Sequence, residues 1–170
     1  NKYELKKYKR TKSSCEESKI NEIIRSIKSI KDIIKLKNRW KEVKHNQILQ
    51  CLCNIIPALE KLDNMIGLED VKNTIFKKII YYIRNRDNEE YLHTVISGPP
   101  GVGKTELAKI YADIFVRLGV LKTDTFIEVK RDDLVGKYLG QTAPKTRKLI
   151  ESAMGGVMFI DEAYSLGNSE

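Results

Sequence analysis

The chain has 170 residues and a formal net charge of +8, with 41% hydrophobic and 32% charged residues. That hydrophobic share supports a real core and excludes wholesale disorder, and the length suits one domain plus an appendage. Three cysteines exclude a disulfide scaffold, and their odd number points to a reducing, cytoplasmic compartment. No apolar run approaches the roughly 18 residues of a membrane span, so no transmembrane segment is expected. The start at Asn1 rather than Met, and the stop after a turn-like Gly167-Asn168-Ser169, read as a piece of a longer protein.

Charge divides the chain. Residues 1–62 hold 16 Lys and Arg against 7 Asp and Glu, and residues 63–170 hold 15 against 16. The first third is therefore +9 and the rest −1. This shift sets the expected boundary: a basic helical segment over 1–62 and a second region over 63–170. Residues 1–17 read as a frayed, partly helical end. From 18 to 37, Ile20, Ile23, Ile24, Ile27, Ile30, Ile33 and Ile34 fall on one face of a predicted helix. Lys19, Arg25, Lys28, Lys31 and Lys35 occupy much of the remainder. After Trp40, Ile48, Leu49, Leu52, Ile55, Ile56, Leu59 and Leu62 repeat the helical pattern. Pro57 interrupts it, which Asn54 would repair by capping a fresh helix.

Met65-Ile66-Gly67-Leu68 reads as a turn, followed by a helix from Glu69 through Val71, Ile75, Ile79 and Ile83. A charged connector covers 84–90. Leu92 to Ser97 suits a buried strand, with His93 opening it in a structural role. A Gly/Pro loop and a helix from about Thr105 to Leu118, closed by Gly119, come next. Thr125 to Val129 is a second strand. A helix from near Thr142 carries Leu149, Ile150 and Ala153, and Val157 to Ile160 is a third, buried strand. Strands alternating with helices indicate an α/β fold with a parallel sheet flanked by helices.

Gly98-Pro99-Pro100-Gly101-Val102-Gly103-Lys104-Thr105 matches the phosphate-binding pattern G-x-x-x-x-G-K-[ST], between a predicted strand and a helix. A triphosphate needs many donors in a short arc. Gly101 and Gly103 let backbone amides approach it, and the new helix adds its positive end. Lys104 supplies a cation for the β- and γ-phosphates, and the Thr105 hydroxyl suits a ligand position on Mg²⁺. Asp161 and Glu162 come directly after the third strand, at the strand end where parallel sheets place their ligand sites. Asp161 can hold Mg²⁺, and Glu162 can orient the attacking water. A strand ending in charge is the bland alternative, and the phosphate loop upstream disfavours it. Between Gly136 and Gly140, Tyr138 and Leu139 either project on a flexible base or pack back onto the domain.

With these motifs in this order, the chain resembles an AAA+ ATPase, a P-loop NTPase. DLVGKYLGQTAPKT and AMGGVMFIDEAYSL are most similar to the subgroup that includes the red-type Rubisco activase and the stage V sporulation protein K-like ATPases. The resemblance covers about 63–170. It implies a Walker A loop at Gly98–Thr105, a Walker B pair at Asp161 and Glu162, and an adenine-side segment at Ile66 and Gly67. Tyr138, Leu139 and Gly140 match the pore loop that contacts a client. It further implies ATP and Mg²⁺ as cofactors, a hexameric homo-oligomer, and a chaperone-like motor acting on a protein client. In the family's strand order the first strand lies between the fourth and fifth, neither of which these residues supply. The strand at 92–97 would then lack neighbours, and the segment alone is expected not to turn over ATP at its parent's rate.

Rival readings are a nucleotide-dependent scaffold, a nucleic-acid-linked motor using the basic helix, and a small-molecule P-loop kinase. The last is disfavoured by the Asp-Glu pair and the Tyr138 loop. The Ile-rich basic helix docks on the protein or self-associates in the favoured reading; nucleic acid and an anionic membrane surface remain as others. Cys51 and Cys53, even with His45, read as free thiols rather than a metal site, and Cys15 is isolated. Trp40 reads as a packing anchor ahead of a base-stacking residue.

Overall fold

Ser29 breaks what the isoleucine spacing predicts as one helix. Residues 21–26 are helical, the chain leaves the helix at 27–29, and α1 begins afresh at Ile30–Lys35. The Ser29 hydroxyl accepts from the Asp32 amide at 3.3 Å and donates to the Asp32 carboxylate at 2.9 Å. That carboxylate also accepts from the Lys28 amide at 3.1 Å. This reciprocal cap satisfies amides that a continuous helix would have used internally. The hydrogen bond from Ser29 holds the Asp32 carboxyl below its ordinary range, against the opposing pull of burial and with help from the Lys28 amide and Lys35. The apolar face survives the break, for Ile27, Ile30, Ile33 and Leu36 are all buried.

The structure is a computed structural model that describes residues 21–39, 46–85, 93–136, 138 and 140–167. The expectations at Ile20, Trp40, His45, Cys15, Leu92 and Leu139, the frayed end over 1–17 and most of the charged connector lie outside these residues. The chain divides into two compact units, Asn1–Ser97 and Gly98–Glu170.

In the first unit, a 3-10 turn at Leu36–Arg39 precedes α2 (Gln47–Asn54), α3 (Ile56–Asn64) and α4 (Glu69–Arg84). Asn46 caps α2 by accepting from the Leu49 amide at 3.1 Å. The expected cap at Asn54 is corrected: Asn54 ends α2, and the fully buried Ile55 stands at the head of α3 with no side-chain cap. Pro57 in the first turn has no amide to satisfy, and the Ile55 carbonyl takes the Ala58 and Leu59 amides at 3.0 and 2.9 Å. Helix α1 packs on α2, α3 and α4. Ile75, Ile79 and Ile83 of α4 are buried as expected, but Val71 is only half-buried and Lys72 is buried beside it.

In the second unit, α5 (Lys104–Arg117) buries Leu107, Ile110, Ile114 and Phe115 and ends before Gly119. It is followed by β1 (Phe126–Val129), α6 (Arg131–Leu134), α7 (Thr142–Ala153), β2 (Val157–Ile160) and a 3-10 turn at Ala163–Leu166. The strands pair in parallel, with Phe126 opposite Val157 and Val129 opposite Ile160. The Phe126 and Phe159 rings stack at 5.9 Å across one face.

Two strand expectations change. Residues 93–97 form no strand, and Val95 is 94% exposed, so His93 opens no sheet element. A strand exists only through pairing, and among the described residues the sheet has just β1 and β2. For the same reason β2 is half-buried rather than buried along all four residues, since one neighbour covers less of it than two would.

Candidate functional site

The glycine loop takes its shape from two left-handed residues. Gly101 has φ 79° and Gly103 φ 83°, a region in which a side chain would cost about 1–2 kcal/mol. A Cβ at Gly101 would meet nothing within 4 Å, so backbone conformation rather than crowding demands glycine there. Gly103 is the N-cap of α5 and no side chain bonds the first turn of that helix. Uncapped first-turn amides at a helix's positive end are the arrangement that binds anions. Lys104 Nζ donates to the Gly98 and Pro99 carbonyls at 3.0 and 2.9 Å, closing the loop on itself. Among the described residues, one of its three donors remains. Thr105 sits half-buried beside it, Val102 is 40% exposed, and Pro100 opens the turn.

The carboxylates are carried by β2. The Asp161 amide donates to the Val129 carbonyl at 2.9 Å, one step beyond the last strand pair. Because β1 and β2 run parallel, both deliver their succeeding residues to one edge of the sheet. Asp161 Oδ1 accepts from the Glu162 amide at 3.0 Å. Glu162 has φ 52°, a left-handed conformation that costs a residue with a side chain about 1–3 kcal/mol and gathers at functional positions. Asp161 is half-buried and Glu162 exposed. Among the described residues, no hydrogen bond or ion pair joins Lys104 or Thr105 to either carboxylate.

Tyr138 is 73% exposed, so it does not pack back onto its unit. The stretch expected as a flexible base is tied by hydrogen bonds up to Gly136. The Gly136 amide donates to Thr142 Oγ1 at 3.0 Å, Lys145 Nζ donates to the Asp132 and Val135 carbonyls at 2.5 and 3.2 Å, and Thr146 Oγ1 donates to the Leu134 carbonyl at 2.9 Å. Ile66 and Gly67 belong to the first unit, in the turn between α3 and α4. Ile66 is 99% exposed, and Gly67 and Leu68 are left-handed at φ 72° and 63°.

Residues 94–170 match the family described as "ATPase family associated with various cellular activities (AAA)". This segment is an AAA-family ATPase segment. A CfxQ homolog of Pyropia yezoensis is 56% identical over 121 residues, covering 71% of the chain and 39% of that protein. The chloroplastic ribulose bisphosphate carboxylase/oxygenase activase of Cyanidioschyzon merolae is 45% identical, covering 64% of the chain and 40% of that protein. Stage V sporulation protein K of Bacillus subtilis is 39% identical, covering 66% and 38%. The chain spans between 20% and 46% of the length of such relatives.

The AAA segment's donor set suits a magnesium nucleotide. The loop and helix start offer uncapped amides and the Lys104 ammonium, and Thr105 and Asp161 offer the hard oxygen ligands that Mg²⁺ takes. Residue-type reasoning missed Lys72, Lys145 and Thr146. Each lies on a helix where its spacing reads as solvent-facing, and only the fold brings backbone carbonyls to it. Lys72 Nζ donates to Met65 and Asp63 carbonyls at 2.8 and 3.2 Å and to the Glu69 carboxylate at 3.2 Å. Cys51 is buried and Cys53 half-buried, both free, and burial pushes the Cys53 thiol up. Among the described residues no cluster of three His, Cys, Asp or Glu could hold a metal, and no helix is long and apolar enough to cross a membrane.

Proposed function

We propose that residues 63–170 are the nucleotide-binding part of an ATPase module preceded by a basic helical segment over 1–62. In this reading the natural protein hydrolyses ATP with Mg²⁺ and remodels a protein client as a ring-forming homo-oligomer, a hexamer by family resemblance. The observation that carries it is the loop itself: two left-handed glycines, an uncapped helix start and a lysine folded onto the loop's own carbonyls.

Gly98, Pro99, Pro100, Gly101, Val102 and Gly103 present their backbone to the phosphates, and Lys104 neutralises the developing charge. Thr105 and Asp161 would hold the metal, which when bound would supply positive charge beside the phosphates. Glu162 orients and polarises the attacking water. By resemblance, Ile66 and Gly67 lie against the adenine, and Tyr138 and Leu139 contact the client. The name of the activase relative, which says that it acts on an enzyme, supports a role on a protein client. Free thiols at Cys51 and Cys53 support a reducing, cytoplasmic compartment. Burial of Ile27, Ile30 and Ile33 supports the docking role of the basic segment over a nucleic-acid one.

The test is Glu162→Gln in the natural full-length protein. ATP binding should persist while turnover falls about 100-fold or more. Turnover at the unmodified rate overturns the assignment, and a scaffold that merely binds ATP would lose no partner binding on this change.

A further inference from the structure

Four hydrogen bonds tie the start of α7 to the stretch that leads into Tyr138. Three side chains supply them, spaced along the first turns of α7: Thr142, Lys145 and Thr146. Their targets lie close together in the chain. Lys145 Nζ takes the Asp132 and Val135 carbonyls, Thr146 Oγ1 the Leu134 carbonyl, and Thr142 Oγ1 receives the Gly136 amide. Asp132, Leu134 and Val135 carry the last carbonyls of α6, which a helix cannot satisfy internally and which attract a cation. Thus a four-residue helix, too short to hold its own end, is closed by side chains from the next helix. The approach is tight as well: a Cβ on Gly136 would stand 2.7 Å from both Gln141 Cβ and the Thr142 amide nitrogen. The Gln141 amide then bonds the Tyr138 carbonyl at 3.2 Å across the turn.

We infer that Lys145, with Thr142 and Thr146, is a positioning residue that braces the base of the turn and holds Tyr138 out from the surface. The brace explains a combination that the residue types alone do not. A bulky aromatic is 73% exposed, yet the backbone beneath it is bonded on both sides. Lys145 contributes most, because it bonds two carbonyls as a charged donor. Its proposed purpose rests on the reading of Tyr138 as a client contact; the brace itself does not.

Chymotryptic cleavage of the Tyr138–Leu139 bond in the natural full-length protein, followed by mass spectrometry, reads the brace directly. Lys145→Met should speed that cut on the order of tenfold, the effect of losing hydrogen bonds from a charged donor, and Lys145→Arg should restore most of the protection. Basal ATP turnover and its KM should stay within twofold in both, which also reports that the variants fold. An unchanged cleavage rate in Lys145→Met overturns the inference, as does a loss of basal turnover equal to the gain in cleavage. Turnover measured with and without casein as an unfolded polypeptide separates the two claims. Stimulation lost in Tyr138→Ala and Lys145→Met, and regained in Lys145→Arg, supports both. Faster cleavage in Lys145→Met, with stimulation intact in it and in Tyr138→Ala, overturns the client reading of Tyr138 and the positioning purpose with it.

Discussion

The two units spend their apolar residues differently. In the first, Ile33, Leu52, Ile55, Leu59, Leu62 and Ile79 are fully buried, and helices α1 to α4 close around them. In the second, Ile114, Phe115, Leu118 and Val129 are buried, but β2 is half-exposed along its length, and Tyr138, Ile150, Met154 and Tyr164 stand out at 49% to 74% exposure. Conformational strain is distributed unevenly too. Gly101, Gly103 and Glu162 of the second unit are left-handed at the residues proposed to handle phosphate and water. Among the described residues, the first unit is left-handed at Gly67 and Leu68, in one turn. Segments that shape a ligand site hold polar backbone and charge in the open, at a cost in burial that the packed helices α1 to α4 do not bear.

Four substitutions sharpen that contrast. Lys104→Ala should have the largest effect on function: affinity for ATP with Mg²⁺ should fall on the order of 100-fold by calorimetric titration, since the charged hydrogen bond from its remaining donor to phosphate is lost. Its urea unfolding midpoint should hardly move, because the bonds it makes in the loop are exposed. Leu59→Ala should do the opposite, costing the first unit about 2–5 kcal/mol in urea unfolding through the cavity it leaves. A larger loss of ATP affinity than of stability there would break the comparison.

Lys72→Met should cost about 1–3 kcal/mol, because the Asp63 and Met65 carbonyls lose their donor and the new side chain cannot replace it. A neutral result would show that water reaches those carbonyls. Ser29→Ala should cost about 1 kcal/mol, the usual worth of an N-cap. It also carries a pH signature. Folding holds the Asp32 carboxyl below its ordinary value near 3.8, so its contribution is whole above that pH and is lost as pH falls through the depressed value. The stability gap between the unmodified chain and Ser29→Ala should therefore narrow below about pH 4 in urea titrations; a gap that stays constant down to about pH 2.5 would show that Asp32 takes no part.

Much of the fold was legible because it rests on local patterns. The run from Val157 to Ile160 is a strand over the residues that its apolar run marks, and α5 begins within a residue of where the glycine loop demands. The Ile face of the basic segment is buried at Ile27, Ile30 and Ile33, although the helix carrying it is split. The split itself was readable from Ser29 three residues before Asp32, a cap pattern that the stronger isoleucine period obscured. Asn46 before the second helical pattern was a similar signal.

What residue order determined by itself was chemistry and period: the phosphate-loop residues Gly98 to Thr105, the carboxylates Asp161 and Glu162 after an apolar strand, and the apolar faces of the helices. These depend on neighbours within about one turn or one strand, so the linear order contains them. Only the tertiary structure decided which groups would find distant partners. Residues 93–97 stayed out of any sheet because a strand is made by pairing, and β2 stayed half-buried because one parallel neighbour covers it. Lys72 and Lys145 became structural cations because folding carried backbone carbonyls to them. No local pattern records that encounter, since hydrogen bonds between separate elements are satisfied in space rather than along the chain.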